Sequence, residues 1–423
     1  MPRNNWRRTS GAEHEAIHVG GSLMKAWKLA SVAAAIAVAS GANLSSTGAK
    51  AQTIKVGVIN TLSGPLAEPG VLIDRGIDLY MKEHAKDLPA GVKVEIIRRD
   101  DTGANPEVAK RLAQELITRD HVQFLAGVVY TPNALAIAPI ATEAKVPFVV
   151  MNAGTAMITT KSPYIARVSF TMWQSSYPLG SWATKNGIKK AYTAVSDYGP
   201  GLDAEAAFTK AFKDTGGTIV GSVHIPLANP DFVPYMQKAK DLQPDAVFVF
   251  VPAGNQAIAL MKAFGDVGLK QAGVKLIGPG DITTDEMLQT MGDVAVGTVT
   301  MFHYSAAAKR PANQAFVKAY KAAYNNEEPA FEVVGGYDGM AAIYHAVIAQ
   351  KGKVDPDKTM ALLKGWKDPN SPRGPIMIDP QTRDIVQNEY LRRVEKVNGQ
   401  IQNVELETTS QVKDPWKELN PQK

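Results

Sequence analysis

The sequence predicts an α/β protein built as two similar doubly wound domains, each a parallel sheet flanked by helices. Three observations carry that expectation. Short β-rich runs alternate with segments of helical periodicity, which is the mark of βαβ units and a parallel sheet. The series runs once from Ile54 to about Val150 and restarts near Phe170, so the pattern is duplicated. The chain of 423 residues, even without its leader, is long enough to favour two domains over one.

Taken in order, the first strand is IKVGVI from Ile54, followed by a helix from about Gly70 to Lys86. VKVEII, a helix from about Pro106 to Arg119, VQFLAG, a helix around Ala134 to Ala144 and VPFVV complete the first series. In the second, a helix through SSYPLGSWATKNG leads to AYTAVS, a helix from about Asp203 to Asp214, and the strands TIVGSVHI and DAVFVFV. A helix from about Asn255 to Phe264 and the strands VKLIGP and AVGTVTMF end it. The last third is less regular, with helical patterns at about Asn313 to Tyr324, Glu332 to Gln350 and Asp357 to Trp366 before the extended segments GPIMID and EYLRRVEKV. Asn398-Gly399, between EYLRRVEKV and QIQNVELE, is a hairpin signal, since both residues accept positive φ. The polar, proline-containing tail after Thr408 reads as a surface wrap or frayed end.

The N-terminus has the form of a secretory signal. Lys25 and Lys28 precede an apolar run from Leu29 to Ala39, and small residues then lead to Ala49-Lys50-Ala51, with cleavage expected after Ala51 and translation expected to start at Met1 or Met24. The run is well short of the roughly 20 residues that span a bilayer. Upstream, HEAIH (His14, Glu15, His18) matches a zinc-protease motif, but Met24 stands where the third histidine of the longer form belongs, and cleavage removes all three residues. A metalloprotease is therefore not expected.

Charge and cysteine content narrow the classes further. The formal charge of +5 resides mainly in the leader; the chain from Gln52 carries 40 Lys/Arg and 39 Asp/Glu. So balanced a body offers no electrostatic footprint for nucleic acid or anionic lipid. With no cysteine, disulfides, thiolate metal sites and a lipidated N-terminal cysteine are excluded. An exported chain without anchor or span is expected in the periplasm.

In doubly wound sheets ligands sit beyond the carboxyl ends of the strands. The first such loop, NTLSGPLAEPG, lacks both the dinucleotide and the phosphate-loop glycine patterns, so no nucleotide cofactor is expected. GVVYTPNA places Tyr130 and Thr131 at a helix start, and NAGTA places Asn152, Gly154 and Thr155 after the next strand. Either loop alone reads as a helix cap. Together, two hydroxyls and nearby backbone N–H groups form a site able to hold a carboxylate without a cation. In the second series SDYGPGLD presents Tyr198 and GPGDITTD presents Asp281, each readable as a turn or cap residue or as a ligand contact. His84, His121, His224, His303 and His345 show neither metal-ligand spacing nor a neighbouring nucleophile, and no G-x-S-x-G elbow exists, so neither an enzyme nor a metal site is expected.

These residues carry a resemblance over nearly all of the chain beyond the leader. IKVGVINTLSGPLAEPG, RDDTGANPEVAKRLAQELI, FLAGVV, VPFVVMNAGT, DYGPG, LIGPGD and GGYDGMAAI, in that order, resemble the leucine/isoleucine/valine-binding family, the type I periplasmic solute-binding proteins of ABC importers. The resemblance implies two lobes joined by a three-crossing hinge, with the ligand trapped in the cleft between them and delivered to ABC permease subunits. The lobes are expected at 52–171 plus 303–369 and at 172–302 plus 370–423. It also implies that Thr131 and Thr155 hold the ligand carboxylate, that the Ala153 region adds backbone contacts, and that Tyr198 closes from the second lobe.

Two departures bear on the ligand. The family's amino-acid binders pair the α-ammonium with an acid where this chain has Gly280, with Asp281 one place later, and Pro69 stands where they carry an aromatic lid. A buried ammonium without an ionic partner is costly. The expected ligand is thus a small carboxylate, an aromatic or hydrophobic carboxylic acid in preference to a branched-chain amino acid, with Tyr130 lining its pocket; a one-residue shift of the loop would bring Asp281 to the ammonium position and favour the amino acid instead. Beside the transport receptor stands a second class, a ligand-sensing regulatory protein of the same fold.

Overall fold

The structure is a computed structural model that describes residues 52–421; HEAIH and the leader with its cleavage site after Ala51 lie outside the described residues. Two sheets of the same winding divide it. In the first lobe the chain runs β1 (Gln52–Asn60), α1 (Glu68–Glu83), β2 (Val92–Asp100), α2 (Pro106–Thr118), β3 (Phe124–Gly127), α3 (Thr131–Ala144), β4 (Phe148–Val150) and β5 (Ile165–Arg167). These strands form one parallel sheet in the order β2-β1-β3-β4-β5.

Helix α4 (Met172–Lys185) leads into the second lobe, which runs β6 (Lys190–Ser196), α5 (Gly199–Asp214), β7 (Thr218–Ile225), α6 (Val233–Leu242), β8 (Ala246–Phe250), α7 (Asn255–Asp266), β9 (Lys275–Pro279), the one-turn α8 (Leu288–Met291) and β10 (Val299–Phe302). Its parallel order β7-β6-β8-β9-β10 repeats that of the first lobe. In each, strand order reverses beside the first strand, and that switch point is where such sheets bind ligands.

The remaining chain stitches the lobes together through α9 (Pro311–Ala323), α10 (Phe331–Ala349), α11 (Pro356–Leu363), β11 (Lys367–Asp368), β12 (Ile376–Ile378), β13 (Ile385–Val397), β14 (Gln400–Val412) and α12 (Pro415–Leu419). Helix α10 is apolar nearly all round and buried, as a helix enclosed on every side must be. It lies so close to α1 that a Cβ on Gly76 or Gly336 would stand 2.0 or 2.1 Å from a backbone oxygen of the opposite helix, so only glycine fits at the crossing. Strand β13 starts beside β12 and ends antiparallel to β10, crossing between lobes within its own length. Consequently Ile376, Ile378 and Ile385, placed by the sequence reading in the second lobe, pack with Ile54, Leu363 and Trp366 of the first.

At Asn398 and Gly399 φ is +51° and +81°, and Val397 pairs with Gln400, the two-residue hairpin expected there. Three features differ from the sequence reading. Helix α6 was not expected, because only Met236 and Ala239 of VPYMQKAKDL are buried and a two-residue face leaves little periodicity. After β9, where Asp281 was readable as the cap of a following helix, a 3-10 turn covers Gly280–Thr283 instead. The tail is not frayed: β14 continues to Val412, Asp414 caps α12, and Lys417 is buried. Among the described residues no helix is long and apolar enough to cross a membrane.

Candidate functional site

The site lies in the cleft, at the carboxyl ends of β1, β3 and β4. After β3 the chain turns through Gly127 and Val128, both at positive φ (+95° and +71°). A β-branched residue in the left-handed region stores strain. The Val128 N–H is held by donating to Ile59 O at 2.9 Å and Asn60 Oδ1 at 3.0 Å. This turn places Tyr130 at the N-cap and Thr131 at the first residue of α3, where Pro132 has no N–H and Asn133 and Ala134 donate to Tyr130 O at 3.1 and 3.2 Å. Asp101 ties neighbouring loops together, accepting Thr61 Oγ1 at 2.6 Å and Asn133 Nδ2 at 2.7 Å.

Neither Thr131 nor Thr155 uses its side chain as a cap. Instead their buried hydroxyls share a hydrogen bond of 2.9 Å. Beneath the second loop lies Arg167, fully buried at the end of β5, donating to Ala153 O at 3.0 Å, Thr155 O at 2.8 Å and Asp384 Oδ1 at 2.6 Å. The Ala153 N–H donates to Val128 O at 3.1 Å, so both backbone groups of Ala153 are engaged within the lobe. Ala153 shapes the loop, and its N–H is not available to a ligand.

The second lobe closes on this surface. Tyr198 occupies the N-cap of α5 without a side-chain cap bond, its ring 6.0 Å from Phe250, and Tyr130 and Asp281 are neighbours of its hydroxyl. A Cβ on Gly199 would lie 2.6 Å from Thr155 Oγ1 and 3.2 Å from Thr131 Cγ2, so the start of α5 rests directly on the hydroxyl pair. One helical turn on, Asp203 Oδ2 accepts the Ala156 N–H at 2.7 Å. At the rim a Cβ on Gly254 would stand 2.5 Å from Glu68 Oε2. Aromatic rings back the cleft: Phe170 lies against Gly154 and packs edge-on with Phe331 at 5.6 Å.

Three acids come together where the second lobe meets α10. Asp281, Glu286 and Glu332 each keep a buried carboxyl oxygen without a hydrogen-bond partner, and among the described residues none of the three is in an ion pair. Burial raises Asp281 to about 7 and Glu286 to about 8. Burial, then the neighbouring Glu286 carboxylate, pushes Glu332 well above the usual range. Burial thus favours the protonated form of these carboxyl groups, which makes the region less hostile to an anion bound nearby.

Tyr130, Thr131, Thr155, Tyr198 and Asp281 thus converge on one cleft, with Ala153 behind it. Arg167, Glu286 and Glu332 were not expected from the sequence. A signal existed for Glu332, a lone acid within the otherwise apolar stretch FEVVGG, since such a residue is rarely buried unless it is paired or has a use. Arg167 and Glu286 carry no comparable mark.

Residues 53–400 match the family described as periplasmic binding protein. A Leu/Ile/Val-binding protein homolog 6 from Brucella melitensis is 46% identical over 377 residues, covering 88% of this chain and 96% of its own. The solute binding protein of an ABC transporter from Rhodopseudomonas palustris BisB5, solved with 3,4-dihydroxybenzoic acid, is 53% identical with a TM-score of 0.84 over 86% of this chain and 99% of that one. A second, from R. palustris HaA2 with p-hydroxybenzoic acid, is 48% identical with a TM-score of 0.83, covering 86% and 98%.

Proposed function

The chain belongs to the periplasmic binding protein family, as a substrate-binding component of an ABC transporter, and from that premise we propose that it captures an aromatic carboxylic acid of the benzoate class and delivers it to a membrane permease. The observation that carries this reading is the Thr131–Thr155 hydroxyl pair at the start of α3, roofed by Gly199 from the other lobe. A carboxylate inserted there takes two hydroxyl donors and the Thr131 N–H at the start of α3, a set that suits an anion without a cationic side chain. A ligand held by both lobes favours the closed state, which is how capture couples to lobe closure.

An aromatic body is supported by the rings of Phe170, Tyr130 and Tyr198 along the cleft and by the hydroxybenzoates bound to the two R. palustris relatives. Burial, with no ion-pair partner among the described residues, raises Asp281 to about 7, so an amino acid's ammonium would have to offset the cost of ionising it. The signal-like leader supports a periplasmic location in this reading. A thermal-shift panel tests it. At 100 times Kd a ligand adds about 2.7 kcal/mol of stability. Benzoates should raise the melting temperature while leucine, isoleucine, valine and phenylalanine should not; stabilisation by the amino acids alone would overturn it.

A further inference from the structure

We propose that Glu332, with Glu286 and Asp281 beside it, reads a hydroxyl group on the end of the ligand remote from its carboxylate, so that the protein selects ring-hydroxylated aromatic acids over unsubstituted ones. The inference rests on the aromatic-acid reading above and adds to it the groups that discriminate within the class.

The cleft is polarised. One end offers donors, the Thr131 and Thr155 hydroxyls with the start of α3. Beside them Phe170 covers Gly154, next to Thr155, and its ring meets that of Phe331 at 5.6 Å. Glu332 is the next residue along α10, only 1% exposed, and its Oε2 has no hydrogen-bond partner. Asp281 Oδ2, on a residue 5% exposed, and Glu286 Oε2 are likewise unpartnered.

Glu332 belongs to α10, which packs on α1 of the first lobe, whereas Asp281 and Glu286 come from the turns after β9 in the second. The acids therefore meet only when the lobes are together, the state in which a ligand is held. A buried polar oxygen left unpaired costs free energy comparable to a lost hydrogen bond, so a ligand that fills it gains what water cannot easily supply there. A phenolic hydroxyl suits such a group. It donates to the carboxyl oxygen, accepts from a protonated one, and brings no charge that would require an ionised partner. Among the described residues no cation pairs with Glu332 or Glu286, which leaves their oxygens to a neutral donor.

Titration calorimetry with benzoate, 4-hydroxybenzoate, 4-methoxybenzoate, 3,4-dihydroxybenzoate and leucine tests the proposal on the unmodified protein and on Glu332→Leu and Glu332→Gln. The unmodified protein should bind 4-hydroxybenzoate at least tenfold more tightly than benzoate, and 4-methoxybenzoate, which cannot donate, should lose that gain. Glu332→Leu should erase the preference by weakening the hydroxylated acids while benzoate holds or improves, and Glu332→Gln should retain most of it. Equal affinities for benzoate and 4-hydroxybenzoate in the unmodified protein would overturn the role of the acids and leave the aromatic-acid reading intact. Leucine binding with no benzoate binding would overturn both. Should Glu332→Leu not fold, the 4-methoxybenzoate comparison decides.

Discussion

The hydroxyl oxygens of Thr131 and Thr155 lie 2.9 Å apart, although the two residues sit on different loops after adjacent strands. A hydroxyl pair bonded only to itself has unused donor and acceptor capacity, and here it faces the first turn of α3. Thr131→Ala should weaken ligand binding by roughly 1–3 kcal/mol, the cost of leaving one charged-group hydrogen bond unmade. Thr131→Ser should recover most of it. Because both hydroxyls serve one carboxylate, the double variant Thr131→Ala/Thr155→Ala should lose less than the two single losses added together. Calorimetric Kd values check this, and full additivity would mean that the two side chains act separately.

The position of Gly199 leads to a change with opposite effects on folding and binding. Its φ is not in the left-handed region, so alanine fits the backbone, and alanine favours a helix over glycine by up to about 1 kcal/mol. Yet the added Cβ would meet Thr155 Oγ1 at 2.6 Å. Gly199→Ala should leave the ligand-free melting temperature unchanged or raised while ligand affinity falls at least tenfold. Small-angle scattering with saturating ligand should show a larger radius of gyration than the parent. Unaltered affinity would mean that α5 does not approach the hydroxyl pair when ligand is bound.

Much of this was legible in the sequence, and the reason is local. Strands buried on both faces, such as FLAG and FVV, and helices with one apolar face leave a period that survives without a structure. The loop residues Thr131, Thr155 and Tyr198 could be found because doubly wound sheets put their sites after strands. What failed to show depended on long-range contacts. Arg167 earns its place by bonding carbonyls that are distant in space until β4 and β5 pair, and Asp384, its ionic partner, is more than two hundred residues away. Nothing in TTDEM singles out Glu286, whose carboxyl oxygen is buried only through contacts made in the folded chain. Lys417 looked like part of a polar tail for the same reason.

The acid cluster predicts an unusual pH dependence. Asp281 moves from 3.8 to about 7 and Glu286 from 4.5 to about 8 on folding, both through burial. A carboxyl that holds its proton more tightly when folded stabilises the native state fully below its unfolded value, and that contribution disappears as pH rises through the folded value. Denaturant unfolding of the ligand-saturated protein, in which the lobes are together, should therefore show stability falling from pH 5.5 to 8.5, by on the order of 1–3 kcal/mol from this cluster. Glu389, also raised to about 8 by burial, acts in the same window, so the decisive quantity is the difference made by Glu286→Gln. That variant should flatten the decline. An unchanged slope would place Glu286 in solvent.

The tail supplies the last prediction. Lys417 Nζ contacts the Asp384 carboxylate, donates to Ala156 O at 2.8 Å and lies 3.3 Å from Asp414, with the residue only 7% exposed. Asp384 in turn holds Arg167, and Ala156 is the residue whose N–H reaches Asp203 across the cleft. A helix of five residues thus braces the loop that carries Thr155 from behind. Removing one partner of a buried ionic group is costly because the charges left behind stay desolvated, typically about 3–5 kcal/mol. Lys417→Ala should lower the melting temperature by several degrees and weaken ligand binding as well, since the Ala156 carbonyl and Asp384 lose a common donor. Lys417→Met, which refills the volume without the charge, should recover packing but not the bond to Ala156 O, and so restore stability less than it restores shape. Lys417→Arg, able to donate to the same groups, should come nearest to the parent in affinity. The comparison separates a bracing role from simple burial. If Lys417→Met and Lys417→Arg match the parent equally in both melting temperature and Kd, the tail only fills space, and the path from Lys417 through Ala156 to the binding loop carries no energy.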